Sequence, residues 1–193
     1  MTLTPAPDAR AARWITAVEV PWQQLVGFGP SGFQAYARLR FIPDPVHAGQ
    51  SESDAPAVPA ALPETEQLQA AVSALLRCTT TADELFFCFW DGWGFELTGA
   101  GVDVPNRSYF LFEGSVAPSG AWDLAPANRA PGQQWNPDPS FIWPADHTWC
   151  IANDVDPHWA GIGASPEAIQ RLLADERLDV IPTDPAAAQP HYR

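Results

Sequence analysis

The spacing of apolar positions changes period several times along the chain, and each change predicts an element. In ETEQLQAAVSALLR, Leu68, Val72, Leu75 and Leu76 recur on one helical face, with Glu64 and Glu66 at the electropositive start and Arg77 at the end. A second helix is predicted after Ser165, whose hydroxyl suits an N-cap, with Pro166 in the first turn and Ile169, Leu172 and Leu173 as its apolar face. Leu85 to Trp90 runs almost without a polar residue before Asp91-Gly92, the pattern of a buried strand. Asn106 to Gly114, Phe141 to Trp143 and Thr148 to Ala152 read as further strands, and LDVIP near the end as an edge strand. The β-branched content of Trp14 to Val20 predicts a strand ended by Pro21. From Phe33, FQAYARLRFI sets Tyr36 and Arg38 against Leu39 and Phe41; it reads as helix or strand, with strand favoured at its end.

The intervening segments are polar and proline-rich. Residues 1–12 read as a flexible N-terminal tail and 186–193 as a C-terminal tail. Pro43 to Pro63 holds five prolines among Ser, Gly and Asp, which predicts a mobile, dispensable loop. Pro118 to Pro139 is a second irregular region, anchored by Trp122 and Trp135, and Thr81 to Glu84 resembles a capping box but sits before a strand and reads as a turn. No internal repeat is visible. Strands interleaved with two firm helices predict an α+β fold: a single domain over 13–185 with a mainly antiparallel sheet and at least two helices.

Composition narrows the class. The chain has 193 residues, of which 46% are hydrophobic, enough for one substantial core and too apolar for a disordered chain. Its net charge is −13, and all ten basic residues are arginine. That sign disfavours nucleic acid and anionic membrane surfaces; it suits a basic partner, although solubility alone is the favoured reading of the charge. Cys78, Cys88 and Cys150 form no CxxC pair and leave an odd count, so neither a disulfide framework nor a zinc module is expected. With no apolar leader and no long apolar run, the expectation is a soluble cytoplasmic protein.

Candidate chemistry concentrates in FIWPADHTWCIANDVDPHWAGIGAS. Asp154, Asp156 and His158 alternate, so an extended backbone points all three one way. Read as an EF-hand loop from Asp154, the stretch lacks the central glycine and the final glutamate. A transition-metal site using His147 and His158 competes with a turn whose Asn153, Asp154 and Asp156 bond local amides; the turn is favoured, and neither metal nor cofactor is expected. GFGPSGF around Ser31 lacks the spacing of a nucleophile elbow, and GIGAS reads as a glycine turn rather than an anion cradle. Trp93 and Trp159, each beside glycine and acidic residues, are candidates for exposed interface tryptophans.

The series VPWQQL, FQAYARL, FFCFWDGWG, NRSYFLFEG, the stretch just described and LLADERLDVIP resembles a family of uncharacterised actinobacterial proteins over most of the chain after residue 12. The C-terminal third is also similar to the SUKH superfamily of immunity and regulatory proteins. That resemblance implies an α+β fold that works by binding partner proteins, often toxins, and assigns no individual residue. The leading expectation is therefore a non-catalytic protein-binding module, of immunity type under the resemblance, that meets a basic protein through Asp91, Trp93, Asp154, Asp156, His158 and Trp159. The alternative is an enzyme or small-ligand binder centred on Asp154, Asp156, His158 and His147.

Overall fold

The computed structural model describes residues 2–57, 62–94, 97–125 and 137–193. Its centre is the apolar run of β3 (Leu85–Trp90), and the side chains there explain why the run has no polar gap. Leu85, Phe87 and Phe89 point into one core, whereas Phe86, Cys88 and Trp90 point into another. A strand covered on both faces needs apolar residues at both parities.

The remaining strands are β1 (Thr4–Pro5), β2 (Ala35–Arg40), β4 (Ala100–Val104), β5 (Arg107–Gly114), β6 (Phe141–Pro144), β7 (Cys150–Ala152), β8 (Trp159–Ala164) and β9 (Val180–Pro182). They form one sheet in the order β1-β5-β3-β6-β7-β8-β2-β9. β4 shares with β1 the side of β5 opposite β3, since β4 pairs Arg107 to Leu111 and β1 pairs Phe112 and Glu113. Every ladder between these strands is antiparallel. The fold is α+β, as the sequence predicts.

Helices cover both faces. The first core packs α3 (Glu64–Leu75) and α4 (Pro166–Leu173) side by side through Leu68, Val72, Leu75, Ile169 and Leu172 onto Leu39, Phe87, Phe112, Ile151 and Ile162. Ser165 caps α4 by accepting from the Ala168 amide at 3.2 Å. On the other face lie α1 (Arg13–Thr16) and α2 (Trp22–Phe28), whose Ile15, Leu25 and Val26 pack on Cys88, Tyr109, Leu111, Phe141, Trp143 and Cys150. Cys88 and Cys150 are free and buried, and Cys78 is half-buried. Among the described residues, no helix is long and apolar enough to cross a membrane.

Four local expectations change. Trp14 to Val20 is not a strand: Arg13–Thr16 is a helical turn whose Ile15 is buried, because the second face of the sheet needs a cover. The start of the chain is not a free tail, since Leu3 is fully buried and Thr4 and Pro5 pair with β5. GIGAS is not a turn but the end of β8. A Cβ on Gly161 would lie 1.9 Å from the Gly27 carbonyl oxygen, and one on Gly163 would lie 2.3 Å from the Phe33 ring, so these glycines let α2 and Phe33 close on the sheet. The fourth change concerns the Pro43 to Pro63 segment, whose residues 58–61, like Trp135, fall outside the described residues. Its first half is anchored, as shown next.

Candidate functional site

Arg38 and Arg40 alternate on the β2 face opposite Leu39, and each needs a carboxylate. Asp44 supplies it. Its oxygens accept from the two Arg38 terminal nitrogens at 2.6 and 2.9 Å, from Arg40 at 3.2 Å, and from His158 Nε2 at 3.0 Å. Arg38 is only 4% exposed. The paired guanidinium of Arg38 and the His158 hydrogen bond outweigh burial and hold the Asp44 carboxyl well below the usual carboxylate range. Gln50 then fixes the following loop, accepting from the Val46 amide at 2.8 Å and donating to the Asp54 carbonyl at 3.2 Å.

The C-terminus closes over this cluster. The Tyr192 hydroxyl donates to the Pro43 carbonyl, the Arg193 amide to the Gln50 carbonyl at 2.9 Å, and the Trp159 indole N–H to the Pro190 carbonyl at 3.4 Å. The predicted C-terminal tail is therefore docked at residues 190–193. Trp159 is 6% exposed, stacked on Phe28 with Arg38 over its ring at 5.5 Å. It is buried, not exposed as expected, because β8 carries it beneath residues 190–193.

His147 also leaves the candidate group. It sits in the β6–β7 turn at φ 54°, stacked on Trp14 at 4.1 Å, where burial depresses its pKa against the opposing pull of Asp146. Asp146 knits that turn to the α3–β3 connection, accepting from the Thr79, Thr80 and Thr148 hydroxyls and the Thr80 amide at 2.8 to 2.9 Å.

Asp154, Asp156, His158 and Trp93 do converge. They line a pocket of about 310 Å³, together with Glu52, Glu64, Asp138, Ser140, Asn153 and the apolar Phe41, Ile42, Val155 and Pro157. The β7–β8 turn brings Asn153 to His158, the start of α3 brings Glu64, and the approach to β6 brings Asp138 and Ser140. Asp154 and Asp156 share Arg107, at 3.1 and 3.2 Å for the first and 2.9 Å for the second. Arg107 in turn lies over the rings of Trp22 and Trp90, and Trp90 packs edge-on to Trp93. Asp91 opens the 3-10 turn that projects Trp93, 40% exposed, at the pocket lip; Asp91 itself is exposed and outside the pocket wall.

Among the described residues, the pocket wall carries five carboxylates and no arginine. Burial, then the charges of Asp138 and Glu52, push the Glu64 carboxyl up to about 7, although the helix start favours its ionised form. Glu64 keeps solvent access, so the energetic effect is screened. Burial also raises Asp138, against a 2.9 Å hydrogen bond from Thr65 to its Oδ2. Two buried acceptors in the wall have no donor among the described residues: Asp138 Oδ1 and Asn153 Oδ1, the latter on a side chain 7% exposed.

Sequence reasoning missed Asp44, Glu52, Glu64, Asp138 and Asn153 as site residues. Only Asp44 had a readable signal, two arginines at strand spacing on one face of an acidic chain. Among the described residues, no three His, Cys, Asp or Glu side chains are grouped to hold a metal ion. No family model matches the chain, and neither the curated proteins nor the solved structures yield a match.

Proposed function

We propose that this chain is a non-catalytic cytoplasmic binding module for a basic protein, received on the face formed by the Asp91–Trp93 turn, Asp138 and the Asn153–His158 turn. The observation that carries it is the convergence of Glu52, Glu64, Asp138, Asp154 and Asp156 around one pocket with an exposed tryptophan at its lip. Opposite charge steers encounter, and a desolvated aromatic holds the complex. The SUKH-like ending favours an immunity-type role, with a basic toxin as the partner.

The rival catalytic reading gains less support. His158 Nε2 is committed to Asp44, and its side chain is 2% exposed. Ser140, the one hydroxyl in the described wall, makes no hydrogen bond to His158. A nucleophile needs a base within hydrogen-bond reach.

The test is binding kinetics against a partner isolated from the producing cells. Trp93→Ala is expected to accelerate dissociation, and Asp138→Asn with Asp156→Asn to slow association. Turnover of a small molecule that Asp138→Asn abolishes, with kinetics toward any protein unaffected by these changes, overturns the proposal.

A further inference from the structure

The pocket contains more acceptors than donors, and its shape restricts what can supply them. Arg107 satisfies Asp154 and Asp156 from behind, which leaves Glu52, Glu64, Asp138 Oδ1 and Asn153 Oδ1 without a donor among the described residues. Asn153 is the informative member. Its side chain is buried and belongs to the pocket wall, its backbone N–H is already bonded to the Ser140 carbonyl at 2.8 Å, and its amide oxygen has no donor among the described residues. A buried acceptor without a donor costs about 1 to 3 kcal/mol, so a ligand that donates there recovers that loss on binding.

Among the described residues, no three ligating side chains of the pocket are grouped closely enough to hold a metal ion. A compact ammonium offers three donors around one point, whereas these acceptors come from α3, the approach to β6, the β7–β8 turn and the loop carrying Glu52. A guanidinium offers five N–H donors in a plane and favours stacking on an indole. The walls match that shape, with Trp93 at the lip and Phe41, Ile42, Val155 and Pro157 for an aliphatic stem. A volume of about 310 Å³ lies at the small end for ligand sites, adequate for one side chain.

Resting on the binding-module reading above, we infer that this pocket is a guanidinium-recognition site, in which Asn153 Oδ1 and Asp138 accept from an arginine side chain of the partner and Trp93 stacks on its plane. The Arg107 to Asp154 and Asp156 bridges then act as positioning contacts that hold the β7–β8 turn open toward the ligand.

The experiment is a titration of ¹⁵N-labelled full-length protein with N-acetyl-arginine-methylamide, its lysine and citrulline counterparts, agmatine, and a short peptide with one central arginine. Expected are saturable shifts of the Trp93 indole and Asn153 side-chain signals with the arginine compounds, at least tenfold weaker binding of citrulline and lysine, and at least fivefold loss on Asp138→Asn or Glu64→Gln. Glu64 is exposed and Asp138→Asn keeps an acceptor for the Thr65 hydroxyl, so folding is expected to survive both changes, and unchanged dispersion of the spectrum checks it. Citrulline or lysine binding as tightly as arginine overturns the inference, as do absent shifts at millimolar arginine probe. Agmatine binding as tightly as the peptide keeps the guanidinium site but transfers it to a small ligand, against the protein-binding reading. Loss of arginine binding alongside an intact protein partner overturns this inference alone.

Discussion

Replacing Asp44 by asparagine removes the one negative charge shared by Arg38, Arg40 and His158 while keeping the side chain's size. Arg38 is left with a buried guanidinium facing a neutral amide; Arg40 retains Asp179 at 2.7 Å. Breaking a buried pair on one side costs about 3 to 5 kcal/mol. Asp44 keeps 21% of its side-chain surface in water, and asparagine can still accept one hydrogen bond, so the lower end applies, about 3 kcal/mol. For a chain of this length that is a fall in Tm of roughly 6 to 12 °C. Urea titration and calorimetry at pH 7 measure it, with Asp179→Asn as the control, since that carboxylate is 44% exposed and its loss is expected to cost under about 1 kcal/mol. The native pKa of Asp44 lies below its unfolded value near ~3.9, so the native state binds fewer protons there. Its contribution is present above about pH 4 and is lost as pH falls, and Asp44→Asn should flatten that acid limb. A loss under about 1 kcal/mol, or one equal to that of Asp179→Asn, refutes the claim that the loop after β2 is anchored by a buried ion cluster.

Other perturbations follow from the same contacts. Phe87→Ala and Phe89→Ala, both fully buried in one core, are each expected to cost about 3 to 5 kcal/mol in denaturant titrations, and two mild results would remove β3 from the centre of the sheet. Gly161→Ala should destabilise by about 3 kcal/mol or prevent folding, whereas Gly101→Ala, whose Cβ meets nothing within 4 Å, should be near neutral in the same assay. Trp159→Ala should lower stability by at least about 3 kcal/mol by cavity formation, and a normal melting curve would return that indole to the surface. Glu64, facing Asp138, Glu52, Asp154, Asp156 and His158 across the pocket, has a native pKa of about 7, raised above its unfolded value. Its contribution to stability is complete below its unfolded pKa and lost as pH rises through about 7, so Glu64→Gln should raise Tm at pH 8 but not at pH 4. Cation binding should strengthen over the same rise in pH, as read by titration calorimetry.

The period of the apolar pattern carried most of the fold. α3, α4 and β3 could be read because each buries a continuous stripe or both faces, and Ser165-Pro166 marks a helix start chemically. β4 carries a readable alternation, Ala100, Val102 and Val104 against Gly101 and Asp103, but it is only five residues long and is not among the predicted strands, and the single turn of α1 is helical for a tertiary reason that its β-branched residues do not announce. In the site, the alternation of Asp154, Asp156 and His158 was legible, but its meaning was not. Arg107 and Asp44, both distant in sequence, claim these side chains from two directions. Prolines in residues 43–63 suggested freedom, although Asp44 ties the loop down through residues on β2. Glu64 and Asp138 looked like helix-start and loop acids, and only the tertiary contact of the start of α3 with the segment before β6, through the Thr65–Asp138 hydrogen bond, makes them a pocket.

The central claim is that the acidic pocket and its tryptophan lip receive a basic protein. Amide hydrogen exchange of the chain, alone and saturated with an isolated partner, tests it most directly. Protection is expected at residues 91–94, 137–140 and 153–158, weakening as salt rises from low to ~0.5 M because the Debye length falls below ~10 Å. Protection confined to the outer face of α3 and α4, insensitive to salt and with those three segments unchanged, contradicts it.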